Sequence, residues 1–154
     1  MFQGFTYTLS IINCYGPYLH RDVFWNKDAR GGLLALPNLI LVGDLNLTLN
    51  TSEVWGSKAH LDLLGPFFTH LFADFNLVDV APPCAGPSWR NGRSREDGIR
   101  KRLDHFFLSL NLIDLLPRHR VWYLLSMIFD HYPVLLEWKE DPTSSYLPFK
   151  FNHS

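Results

Sequence analysis

The chain has 154 residues, enough for one domain, and is 47% hydrophobic, 15% aromatic and 19% charged. That balance excludes a disordered tail, a collagen-like chain and a low-complexity segment. The formal net charge of −1 gives no global attraction to nucleic acid, so any such contact must come from a local patch.

No run approaches the roughly 18 apolar residues that a membrane span needs, and residues 1–6 lack the charged leader and apolar core of a signal peptide. Cys14 and Cys84 are too few for a disulfide scaffold and read as reduced, buried thiols. These features predict a soluble, intracellular globular domain.

Taken in chain order, residues 5–14 (FTYTLSIINC) are rich in β-formers and run into the turn residues Tyr15-Gly16-Pro17, which predicts a strand. Residues 20–36 show partial helical spacing, weakened by Gly31-Gly32. The short apolar run 38–42, bounded by Pro37 and Gly43, predicts a strand buried on both faces. Residues 59–75 place apolar side chains at 61, 63, 64, 67, 68, 71, 72 and 75, a helical face that Pro66 is able to kink. Short strands follow around 78–80, 88–90, 102–109, 121–125 and 134–138. The pattern indicates an α/β domain of layered sheets over residues 1–140. The polar, proline-bearing segment 141–154 reads as a linker, and both ends look cut from something longer.

Three clusters carry chemistry. Gly43-Asp44-Leu45-Asn46 follows the buried strand, and residues i and i+2 project together, so Asp44 and Asn46 would share the strand's carboxyl end. Ligands collect there in α/β sheets, although the same residues also make an ordinary turn. In 102–109 (RLDHFFLS), alternation puts Arg102, Asp104 and Phe106 on one face and Leu103, His105 and Phe107 on the other. A carboxylate in an apolar strand needs a partner, and a surface Arg–Asp pair would satisfy it. Asp130-His131-Tyr132-Pro133 precedes a further apolar strand, and Pro133 favours a break that lets both polar groups reach one site. A carboxylate with an imidazole suits metal binding and proton transfer; a solvated turn is the plain alternative.

Residues 90–102 (RNGRSREDGIRKR) hold the six basic residues Arg90, Arg93, Arg95, Arg100, Lys101 and Arg102 against Glu96 and Asp97. The local charge is +4, which leaves −5 for the rest of the chain. Asn91-Gly92 and Gly98 are turn formers, so the stretch reads either as a hairpin tip carrying arginines or as a solvated charged loop.

The order and spacing of GDLN, RLDHFFLS and DHYPV, preceded by Asn13-Cys14-Tyr15-Gly16-Pro17-Tyr18, resemble the endonuclease/exonuclease/phosphatase superfamily. Within it the chain resembles the apurinic-type endonuclease domain of plant non-LTR (LINE-type) retrotransposons, helped by SWRNGR at 88–93 and by PFKFN at 148–152, which is similar to the linker towards a reverse transcriptase. The resemblance implies a four-layer α/β sandwich of two mixed sheets flanked by helices. It implies cleavage of phosphodiesters in DNA with Mg²⁺ or Mn²⁺, and makes a nuclear location plausible.

Carried over by resemblance, Asp44 orients or deprotonates water and Asn46 holds phosphate oxygens. His131 stabilises the phosphorane while Asp104 sets its tautomer, and Tyr15 contacts the phosphate or the leaving oxygen. Asp130, with Asp44, serves the metal; Trp89 packs beside the site; the basic stretch lies against DNA. The departures are as informative. The family's early strands, with an Asn and a metal-binding Glu, have no counterpart before Met1, so the domain is expected to be N-terminally incomplete and to bind metal weakly. Phe129 stands where a Ser is usual. A catalytically inactive or weakly nucleic-acid-binding fragment, and a phosphatase or phosphodiesterase acting on small phosphoesters, are the competing readings.

Overall fold

The computed structural model describes residues 8–84, 86–116, 118–124 and 129–138. The segment 141–154 and the start of the first expected strand therefore lie outside the described residues. Strand β1 (Ser10–Asn13) leads through the 14–20 loop to helix α1 (Arg21–Arg30), which stops at Gly31. Lys27 and Arg30 in its last turn complement the negative end of the helix dipole.

Strand β2 (Leu39–Asp44) follows, and then the short β3 (Val54–Trp55). Helix α2 (Gly65–Asp74) comes next and leads into β4 (Leu77–Asp79). The two-residue strands β5 (Trp89–Arg90) and β6 (Arg100–Lys101) pair as a hairpin, one of the two readings open for the stretch 90–102. Strand β7 (Asp104–Ser109), helix α3 (Leu110–Leu115), β8 (His119–Tyr123) and β9 (Val134–Trp138) complete the described chain.

Among the described residues the main sheet has the order β1-β2-β7-β4, with β1 parallel to β2 and the other pairs antiparallel. A small β3-β6-β5 sheet and the β8-β9 pair flank it. The pleat of the two central strands divides the core. Leu39, Leu41 and Phe107 point to one side, where α1 and α2 bring Trp25, Phe68 and Phe72. Ile40, Phe106 and Leu108 point to the other, where Leu112, Leu116 and Val121 meet them. Both faces of β2 are thus covered, as its unbroken apolar run requires. Trp25 and Phe72 meet edge to face at a centroid distance of 5.3 Å. The result is a mixed α/β architecture of several sheets flanked by helices, and no helix among the described residues is long and apolar enough to cross a membrane.

Three expectations need correction. Pro66 does not kink a helix over 59–75; it occupies the first turn and starts a shorter one, where a missing N–H costs nothing. Leu61 and Leu63 consequently lie outside the helix and are exposed. Cys84 is exposed, whereas Cys14 is half-buried and its thiol is pushed up by burial, with the Asp28 carboxylate adding to that. Arg102 does not share a strand face with Asp104. The ladder begins at Asp104, and the Arg102 N–H is already turned aside to the Glu53 carbonyl at 3.0 Å.

Candidate active site

Gly43 sits with φ +131° just before Asp44, and a Cβ on it would lie 2.1 Å from the Cys14 carbonyl oxygen. Only glycine allows β1 and β2 to approach so closely where the polar strand end emerges. Gly16 repeats the device one turn away: its added Cβ would meet the Leu45 carbonyl oxygen at 2.1 Å, and its N–H donates to the Asp44 carbonyl at 2.7 Å. The Tyr15–Pro17 loop is therefore pinned over the end of β2.

Asn46 has left the strand for a left-handed conformation, φ 52°, that asparagine tolerates. Its backbone N–H donates to Asp44 Oδ1 at 3.0 Å, its Nδ2 donates to the Gly16 carbonyl at 2.7 Å, and its carbonyl accepts from Arg21 at 2.8 Å. Asp44 and Asn46 are thus brought together by a turn and not by strand alternation. One hydrogen of the Asn46 amide remains for a ligand oxygen.

His131 reaches the same place from the far end of the chain. Residues 130–132 zip onto the small hairpin: Arg90 N–H donates to the Asp130 carbonyl at 2.9 Å, Tyr132 N–H to the Ser88 carbonyl at 2.7 Å, and Trp89 and His131 form a β-bridge. Buried Ser88 also accepts from the Leu103 and Asp104 amides at 2.9 Å each, fixing the start of β7. The His131 Nδ1–H donates to Asp104 Oδ2 at 2.9 Å, and Nε2 faces Asp44 Oδ2 at 3.6 Å. Burial pushes the Asp44 carboxyl above its ordinary range and the Asp104 carboxylate adds to the push; the Asn46 amide and the His131 and His105 imidazoles oppose it without cancelling it.

A cleft of about 660 Å³ has Asp44, Asn46 and His131 in its wall together with Tyr15, Trp89, Lys101 and Asp130. Asp104 lies behind His131 in an adjoining hollow. Arg90, Arg93, Arg95 and Arg100 line a second depression, which shares Asp130 with the cleft. The Arg90 guanidinium lies 5.5 Å from the Tyr132 ring centroid.

Arg102 is absent from this basic face. It is buried, with Nη1 bonded to Glu53 at 2.7 Å and to Asp79 at 2.6 Å, and Nη2 to Asp79 at 2.7 Å. Fully buried His105 joins them, Nδ1 against Asp79 at 3.3 Å and Nε2 against the Leu47 carbonyl at 3.2 Å. Burial would raise the Asp79 carboxyl, but hydrogen bonds and charge from His105 and Arg102 hold it at about 2. Glu53 and Asp79 escaped sequence reasoning, since they meet Arg102 from 49 and 23 residues away; an arginine within the stretch 102–109 was the one available signal.

The donor chemistry tests the implied metal. Asp44, Asn46 and Asp130 offer oxygen, the kind of ligand a hard cation prefers. They are few, however, and Asp44 Oδ1 already accepts from the Asn46 N–H. Among the described residues the only three acid or imidazole groups within 4.8 Å of one another are Glu53, Asp79 and His105, and the Arg102 guanidinium bonded to both carboxylates already supplies that cluster's positive charge. The cleft residues alone do not make a complete Mg²⁺ shell. The arrangement they do make is an imidazole oriented by one carboxylate and aimed past a second into a groove with basic residues at its edge. That arrangement can move a proton at Nε2 and stabilise charge developing on a phosphate.

The sequence matches no protein-family model and no curated protein. Its fold is similar to that of the endonuclease domain of TRAS1, a telomere-specific non-LTR retrotransposon, with a TM-score of 0.65 and 20% identity over 90% of this chain and 61% of that one. It is also similar to a 3′ phosphatase, NExo from Neisseria, bound to its product DNA hairpin, with a TM-score of 0.62 and 21% identity over 84% of this chain and 61% of that one. The chain thus spans 61% of the length of these structures, and the likeness shows a shared fold.

Proposed function

We propose that the chain is part of a divalent-metal-dependent DNA endonuclease domain of the plant LINE-type retrotransposon kind, hydrolysing phosphodiesters to leave a nick. The observation that carries this reading is the Asp104–His131–Asp44 chain of contacts opening into a groove beside a basic hairpin. Asp44, its carboxyl raised by burial, positions or deprotonates the attacking water. His131 stabilises the phosphoryl oxygens with Nε2 while Asp104 holds Nδ1–H, and Asn46 donates its remaining amide hydrogen to phosphate. Tyr15, exposed at the groove's rim, contacts the phosphate or the leaving oxygen. Asp130 and Asp44 are the oxygen donors this chain would offer to Mg²⁺ or Mn²⁺, which would supply neutralisation of phosphate charge.

The incomplete donor set favours a second reading for the chain by itself, a nucleic-acid-binding fragment without activity. Nicking of supercoiled plasmid separates the two. The chain alone is expected to leave the plasmid intact in Mg²⁺. A fusion carrying the portion of a TRAS1-like domain that this chain does not match is expected to nick it, and Asp44→Ala or His131→Ala to abolish that. EDTA-sensitive nicking by the unfused chain, lost in Asp44→Ala, overturns the account of the metal site; a fusion that stays inactive overturns the endonuclease reading.

A further inference from the structure

The mouth of the cleft carries an inverted burial pattern. Among the described residues Leu63 is 93% exposed, Tyr18 84% and Leu61 55%, and all of them line the cleft. Between the two leucines, Asp62 is turned inward with a side chain only 6% exposed. It accepts both Arg21 Nη groups, Nη2 at 2.9 Å, together with the Thr48 N–H at 3.3 Å and the Leu64 N–H at 3.0 Å. Arg21 in turn holds the Asn46 carbonyl and lies 5.5 Å from the Phe68 ring centroid. The Arg21–Asp62 pair thus fixes the polar residue inside and keeps Leu61 and Leu63 outside, opposite to what burial alone would choose. Tyr18 reaches the same cleft from the loop that Gly16 pins and that α1 continues three residues later.

We propose that this tyrosine–leucine rim holds an unpaired nucleobase next to the phosphate that Asp44, Asn46 and His131 face, making single-stranded DNA the preferred ligand. The proposal rests on the nucleic-acid reading above and adds the form of DNA bound. The volume of about 660 Å³ lies within the roughly 300–1,000 Å³ of pockets that bury organic ligands, and a phosphate group alone would leave most of it empty. Lys101 lines the same cleft, which shares Ile99 and Asp130 with the arginine-lined depression, so apolar groups and positive charge meet in one groove. That is the composition that single-stranded nucleic acid selects: flat rings stack on aromatic side chains while the backbone follows the cations. A paired base has both faces covered by its neighbours and offers nothing to Tyr18.

The test is binding of the full chain, in EDTA, to a fluorescent oligothymidylate and to a duplex of equal length. Tyr18→Ala should weaken oligothymidylate binding about tenfold and leave duplex binding unchanged, with Tyr18→Phe retaining most of the affinity. Leu63→Ala should act in the same direction more weakly, and neither exposed position should alter the circular dichroism spectrum. Equal losses on both ligands, or none, overturn the base subsite. If Arg93→Ala weakens both ligands while Tyr18→Ala changes neither, the nucleic-acid reading stands and the subsite alone is lost. If neither ligand binds, both readings fall. If the wild-type chain sediments as a dimer that Tyr18→Ala dissociates, the rim is a contact between copies and the proposal is wrong.

Discussion

Asp44 and Asp104 are register partners across the β2–β7 pair, and His131 stands between their carboxylates with a different ring nitrogen turned to each. The antiparallel ladder ends at this pair, so both side chains leave the sheet from one edge. Two acids placed so close repel unless something positive or hydrogen-bonding divides them. The imidazole stands between them and gives its Nδ1–H to the nearer acid, Asp104.

Asp104→Asn should therefore cost activity without disturbing the sheet. In a nicking-competent fusion, it removes the acceptor that selects Nδ1–H and leaves Nε2 in the wrong protonation state. A loss of roughly 100-fold or more in kcat with little change in KM is expected, read from initial nicking rates. A fall confined to KM would place Asp104 in substrate binding instead.

Asp44 predicts a stability gain on neutralisation. Its folded carboxyl lies above the ordinary 3.8, so the folded state holds its proton more tightly than the unfolded one. Stability attributable to this group falls as pH rises through the folded value and stays low above it. Asp44→Asn should thus raise Tm near neutral pH by about 2 °C, a small effect because the Asn46 amide and the neighbouring imidazoles offset part of the burial. The gain should vanish in acid. Thermal melts of both proteins across pH check this, and a lower Tm for the variant at neutral pH contradicts it.

Asp79 predicts the opposite sign. Its folded carboxyl at about 2 lies below the ordinary 3.8, so its stabilisation is fully present above pH 3.8 and is lost as pH falls towards 2. The amount is about 2 kcal/mol. Asp79→Asn should cost about 3 kcal/mol near neutral pH, since it leaves Arg102 and His105 short of a buried partner. The same variant should flatten the acid limb of the stability curve. Urea unfolding at a series of pH values measures both.

The hairpin should contribute charge without reading sequence. Arg93 and Arg95 are exposed on the β5–β6 turn, where a phosphate backbone can reach them. Replacing both with Ala should weaken DNA binding by the same factor on unrelated sequences and reduce the slope of log K against log salt by about 2. Loss on one sequence alone contradicts this.

The central strands were legible in the sequence because their information is local. The unbroken apolar run of β2, the glycine before Asp44 and the Asn91-Gly92 turn each specify their own geometry. Asp44, Asn46, Tyr15, Trp89, Asp130 and His131 do line one cleft, with Asp104 directly behind it. What escaped is non-local. Alternation carried Arg102 onto the Asp104 face because nothing in RLD reveals that the ladder starts one residue after Leu103. Glu53 and Asp79 belong to separate elements whose meeting is a property of the whole fold. Leu61 and Leu63 fit a helical stripe, but the helix starts only at Gly65-Pro66 and the inward ion pair of Asp62 leaves them outside.

The bridge between Trp89 and His131 gives the molecule a shared fate for two capacities. The segment bearing the imidazole is anchored through its main chain to Arg90 on the hairpin strand and to Ser88 beside it, with Leu124 holding the Pro133 carbonyl just beyond. Fraying of that hairpin would release the arginines and the histidine in one event. Conversely, a polyanion that quiets the hairpin also steadies His131. On the endonuclease reading proposed above, grip and reactivity are geared to the same two-residue strand, and a lesion there should silence both at once.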